Sequence, residues 1–268
     1  MYEAVAAAVA QAYLAHCGYT EERTRCLMAR KPIAAQPPPP PSVQQGSEPE
    51  SPEAASSTAE SLEQQKAWLW MQFAAHVTPS VQRVVEFAKR VPGFCELSQD
   101  DQLILIKVGF FEMWLTHVSR LASDSALTFA DGAYITRQQM ELMYDPEFVA
   151  SLFHFCRSLS MLALGDTETA LFSATVLLCA DRPGLTDSKT IERHHDHLVE
   201  TLKLQVSRLG AEPGLANALL LGKLPELRGL GVKHLEQLDW FRLHWAQLRL
   251  PPLFAEIFDI PKCEEDLQ

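Results

Sequence analysis

The feature that most constrains this chain is its punctuation. From about Gln64 to the end, apolar positions recur at helical spacing between recognisable helix stops and starts. Between Gln64 and Arg90, Phe73, Val77, Val81, Val84, Val85 and Ala88 fall on or near one face, as in a core-packed helix, and Pro92-Gly93 ends it. Ser98 with Asp101 three residues on resembles a capping box, and Leu103, Ile104 and Ile106 begin an apolar segment running past Trp114, which predicts a long buried helix. Asp145-Pro146-Glu147 starts a helix through about Leu164. Gly165-Asp166 ends that helix and caps the next, which finishes near Asp181-Arg182-Pro183-Gly184, and another runs from about Ser188 to Leu209. Leu127 to Ala130 and Ala133 to Thr136 read as two short strands around a type I′ turn at Asp131-Gly132. Many helices, one short β-hairpin and no alternating βα pattern predict an all-α multilayer domain enclosing a central helix.

Residues 1–30 read as the first helix, with Val5, Val9, Tyr13 and Leu14 at its apolar positions. Residues 31–61 turn to Pro, Gln, Ser, Glu and Ala and include five consecutive prolines at 37–41, so they are expected to be a disordered linker, with a polyproline ligand for a partner as the lesser alternative. Residues 62–268 form the remainder of the domain.

Bulk properties exclude several classes. The apolar runs fall short of the roughly 18 residues that span a bilayer, and the N-terminus lacks a secretory pattern, so no membrane partner is expected. The six cysteines include no C-x-x-C pair, which argues against structural zinc and a disulfide framework. A formal charge of −11 opposes binding to a phosphate backbone, so direct nucleic-acid binding by this chain is not expected. No G-x-S-x-G elbow, phosphate loop or H-E-x-x-H occurs, and no catalytic residues are assigned. His194, His195, Asp196 and His197 could offer metal ligands one turn apart, but without a remote ligand they read as a solvated helix face, and no metal is assigned.

One segment does suggest function. Pro251-Pro252 introduces a short amphipathic helix at about 252–259, in which Leu253, Phe254, Ile257 and Phe258 can pack down while Glu256 stays at the edge. A carboxylate there could cap the free amides of another helix, and Lys89 and Lys107 could meet the carbonyls at that helix's other end. A two-turn helix is roughly 12 Å long, which would set the spacing of such a clamp.

Val84 to Phe94, with Leu97, Asp101-Gln102 and Leu105-Ile106-Lys107, closely resembles the nuclear-receptor ligand-binding-domain signature. Ala180 to Gly184 is similar to that family's loop between two later helices, and Pro251 to Phe258 to its activation helix. Within the family, Ala15 to Tyr19, Val84 to Phe94 and Lys233 to Leu238 are most similar to retinoid-related orphan receptors and insect hormone receptor 3.

The resemblance implies a three-layer antiparallel helical sandwich, a nuclear location and regulation of transcription. Coactivators carrying Leu-x-x-Leu-Leu would be recruited by Lys89, Lys107, Glu256, Leu253 and Ile257, and other nuclear receptors are further expected partners. It also implies a lipophilic pocket beneath the hairpin for a sterol-like ligand, with no other cofactor. That pocket would be lined by Trp70, Phe73, Val77, Phe111, Trp114, His117, Val118, Arg120, Leu121, Phe129, Val149, Leu152, His234, Leu238 and Phe254.

Departures from the relatives' pattern matter. Phe111 and Trp114 stand where those receptors carry smaller residues, His117 replaces an arginine, and Gly18 replaces a glutamine, so the pocket is expected to be filled in part or whole. Phe254 replaces a tyrosine that bonds the equivalent of His234, so any lock on the activation helix must be aromatic packing. The bulky pocket substitutions predict substantial activity without ligand. The rival readings are a haem-binding sensor using His234, opposed by the retained activation helix and the lack of a Cys-Pro dipeptide, and an enzyme or a plain helical scaffold without coactivator function.

Overall fold

The computed structural model describes residues 1–27, 31–34, 54–208 and 212–262. The N-terminal stretch expected as one helix is two, α1 (Tyr2–His16) and α2 (Glu21–Cys26), with a turn between them. Thr20 starts α2 by accepting from the Arg23 amide. Gly18 lies in the turn against the hairpin, where a Cβ would stand 2.8 Å from that of Ala130.

Within the expected linker, Lys31–Pro32 forms an edge strand, β1, and residues 35–53 lie outside the described residues. The next helix, α3 (Ala54–Arg90), begins earlier than its apolar pattern indicates and carries Pro79 inside it. It stops at Pro92-Gly93, where Gly93 has φ +88 and the His194 ring sits over it, 2.5 Å from where a Cβ would be. Only glycine fits there.

The central helix is α4 (Gln99–Val118), buried continuously from Gly109 to its end. Ser98 caps it by accepting from the Asp101 amide. Asp101 does not return the bond. Its buried carboxylate accepts from Thr186 N, Thr186 Oγ1 and Asp187 N, and the Thr186 amide bond in particular holds its pKa below the usual carboxylate range. The loop that ends in Asp187 is thereby pinned to the start of α4.

β2 (Ala126–Thr128) and β3 (Ala133–Thr136) form the hairpin, and β1 adds parallel to β3, giving the order β1-β3-β2. The turn is not type I′. Gly132 alone has a positive φ, +89; its amide donates to Phe129 O, and Phe129 N donates to Ala133 O. This is a type I turn closed by a glycine bulge, in which Asp131 Oδ1 accepts from the Ala133 amide.

The remaining helices are α5 (Arg137–Met143), α6 (Pro146–Ser160), α7 (Asp166–Leu177), α8 (Ser188–Ser207), α9 (Pro213–Gln237), α10 (Asp239–His244) and α11 (Pro252–Ile257). Asp145 caps α6 through the Glu147 and Phe148 amides. Asp166 opens α7 as its first residue and makes no cap; Gly165 holds the cap position.

α4 and α7 form the middle layer. Together with α8 they pack against α1 and α3 on one side and α6 and α9 on the other, the three-layer helical sandwich expected. α7 is buried at every position from Glu168 to Leu177. Arg182, from the loop after α7, reaches into α4 and holds Glu112 with two bonds of 2.8 and 2.6 Å. Both groups are almost wholly buried, and removing one partner of such a pair typically costs about 3–5 kcal/mol.

Candidate functional site

The aromatic residues of α3, α4 and α11 converge on one region. Trp70 and Phe73, one turn apart on α3, meet edge to face at 5.7 Å, and Phe73 continues to Trp114 at 5.6 Å and Phe129 at 5.8 Å. Phe111 lies flat on His234 of α9, with centroids 3.8 Å apart and planes within 9°. Contacts of this kind contribute about 0.5–1.5 kcal/mol each beyond their buried area.

Val77, Val118, Val149, Leu152 and Leu238 are buried in the same core, with Leu121 packed at its margin. The aromatic ligand positions therefore do come together ring against ring, and the aliphatic ones belong to the same hydrophobic core.

Two of the positions do not join them. His117 turns toward α1 and α7, sharing a 2.9 Å hydrogen bond with Ser173 Oγ and meeting the Tyr13 ring at 5.5 Å. Burial, and secondarily the Arg120 charge, lower its pKa to about 3, so it is neutral. Arg120 donates to Tyr13 Oη, Tyr19 O, Asp166 and Leu164 O. It is the joint between α1, α2 and α7. Both lie on the side of α4 and its following turn that meets α1 and α7.

The polar feature inside the core was missed. Tyr144, between α5 and α6, shares a 3.0 Å hydrogen bond with His234 Nε2. Burial lowers the His234 pKa to about 3 as well. The only sequence signal for Tyr144 was its place just before the Asp145-Pro146 helix start. Tyr144 takes His234 Nε2 and Phe111 covers one face of the ring, while Nδ1 is buried with no hydrogen-bond partner among the described residues.

α11 closes over this core against α3 and α4. Phe254 is fully buried, 6.4 Å from Phe73, 6.3 Å from Phe241 and 4.9 Å from Phe258. Phe258 in turn meets Phe110 at 5.8 Å and His234 at 5.2 Å. After α11, Asp259 has φ +51, and Ile260 N donates back to Ala255 O, a helix stop of Schellman type with Ile260 buried beneath it.

Ile257 is also buried, whereas Leu253 is half-buried. Glu256 is half-exposed and pairs with Lys262 at 2.9 Å. Lys107 lies at the Glu256 end of the surface, not opposite it, 3.9 Å from Glu256 and bonded to Asp259. Lys89, exposed in the last turn of α3, pairs with Glu86 at 3.1 Å.

The histidine cluster is spent on packing. Besides His194 over Gly93, His195 Nδ1 bonds Leu178 O at 2.9 Å and His197 meets Tyr2 at 4.9 Å. Among the described residues no group of three or more His, Cys, Asp or Glu is placed to hold a metal ion, and no helix is long and apolar enough to cross a membrane.

The body is thus a layered helical sandwich on which the short helix α11 is seated. The family model described as the ligand-binding domain of nuclear hormone receptor matches residues 58–244, and the chain belongs to that family. It is 54% identical over 97% of its length to Ecdysone-induced protein 78C of Drosophila melanogaster, of which it covers 29%. It is 34% identical over 71% of its length to Nuclear receptor ROR-alpha B of Danio rerio, covering 41% of that protein. With Probable nuclear hormone receptor HR3 of Drosophila melanogaster it shares 32% identity over 74% of its length, covering 42%. The chain thus spans less than half the length of these curated relatives.

Proposed function

We propose that this domain recruits a Leu-x-x-Leu-Leu coactivator helix to the surface bounded by α3, α4 and α11, and that it does so without a ligand. The observation that carries the reading is the seating of α11: Phe254 is buried in a core already filled with aromatic side chains, while Glu256 stays at the surface. The Glu256 carboxylate would accept from the free amides at the partner's N-terminus, and Lys89 would donate to carbonyls at its C-terminus. Half-buried Leu253 and half-exposed Leu103 of α4 offer apolar area between. Lys107, through Asp259 and Glu256, supports the acidic end. A sterol-like ligand, if bound, would have to displace Phe111 or Trp114. In the cell the domain would act in the nucleus, within a longer receptor and beside other nuclear receptors, as a regulator of transcription and not as an enzyme.

The test is binding of a fluorescent Leu-x-x-Leu-Leu peptide by anisotropy. Glu256→Gln and Lys89→Ala should each weaken it at least tenfold, about 1.4 kcal/mol. Unchanged affinity in both variants would remove the clamp.

A further inference from the structure

Lys262 sits at the end of the surface where the partner helix would begin. Its Nζ is 2.9 Å from Glu256 Oε2, while Lys107 approaches Glu256 Oε1 at 3.9 Å and bonds Asp259. The stop after α11 fixes this arrangement: Asp259 turns the chain in the left-handed region, Ile260 is buried, and Lys262 is brought back beside the carboxylate six residues before it. Both groups are about half exposed.

A helix amide that takes Glu256 Oε2 competes with Lys262 for that oxygen. The contact Lys262 gives up can be replaced by a carboxylate on the incoming chain, located just before its first helical turn. An acidic residue in that place is also favoured by the partner helix's own dipole. From this we infer that Lys262 is a specificity-determining residue of the docking surface, selecting amphipathic helices with an acidic residue immediately N-terminal to the first leucine. The inference rests on the docking surface proposed above.

Two labelled peptides with one Leu-x-x-Leu-Leu core, preceded by Glu-Asp or by Gln-Ser, would be titrated against the full chain, its Lys262→Gln variant and its Lys262→Glu variant. Wild type should bind the acidic-flanked peptide about two- to fivefold more tightly, the range of an exposed ion pair. Lys262→Gln should bind both alike, and Lys262→Glu should prefer the neutral flank. A preference that persists in Lys262→Gln, or is missing from wild type, overturns the inference while leaving the surface intact. If neither peptide binds wild type, the docking surface itself is wrong and the inference falls with it.

Discussion

Phe111 of α4 and His234 of α9 stack face to face at 3.8 Å, joining the central layer to an outer one across the region where the family resemblance implies a ligand. The neutral imidazole is held at its edge by Tyr144 and touched by Phe258 beyond α11. The same histidine thus links the filled interior to the element that carries Glu256.

Shortening Phe111 should therefore open the interior and loosen the end of the chain together. Phe111→Ala should lower unfolding free energy by about 3–5 kcal/mol, measured in urea. Part of that loss should return when a small aromatic such as indole is added, because the new cavity is apolar and lined by rings. Wild type should gain nothing from indole.

The two buried histidines should oppose folding in mild acid. In the folded protein His117 and His234 are protonated only near pH 3, whereas unfolded histidine takes a proton near pH 6.5. As pH drops below about 6.5, the unfolded state binds protons that the folded state refuses, so unfolding becomes easier. Between pH 8 and 5.5 the two imidazoles together should cost about 3 kcal/mol. His117→Gln, which keeps a donor toward Ser173, should remove about half of that pH dependence in unfolding curves.

Arg120 is a structural joint in this fold, and its replacement should show as much. Arg120→Met removes charge-assisted bonds to Asp166 and two carbonyls and should cost about 1.5–3 kcal/mol. Hydrogen exchange should rise in α1 and α2, while coactivator-peptide affinity stays within about twofold, a difference near 0.4 kcal/mol. A selective loss of peptide binding would return Arg120 to the ligand site.

Lys107 should behave as a support for α11. Lys107→Ala and Asp259→Asn should weaken peptide binding to a similar degree, and the double variant should be no worse than either alone. Additive losses would mean that Lys107 meets the partner directly.

The helix stops of this fold were legible because they are local: Pro92-Gly93, the Ser98 cap and Asp145-Pro146 act within a few residues of themselves. The terminal amphipathic helix was legible for the same reason. What escaped depends on distant partners. Asp101 looks like a capping-box acid until Thr186 is placed beside it, and Arg120 looks like a pocket anchor until Asp166 and Tyr19 surround it. Tyr144 carries no signal until His234 is folded against it. The type I′ reading of Asp131-Gly132 failed because that dipeptide also suits a type I turn with a glycine bulge, and loop length decides between them.

If aromatic packing alone seats α11 for partner binding, no guest is needed in the interior. The direct measurement is native mass spectrometry of refolded, delipidated chain mixed with a Leu-x-x-Leu-Leu peptide, beside a Phe254→Ala variant. The expected result is a one-to-one peptide complex at the mass of chain plus peptide alone, and its loss in Phe254→Ala. A peptide complex that forms only on species carrying an additional lipophilic mass would contradict it.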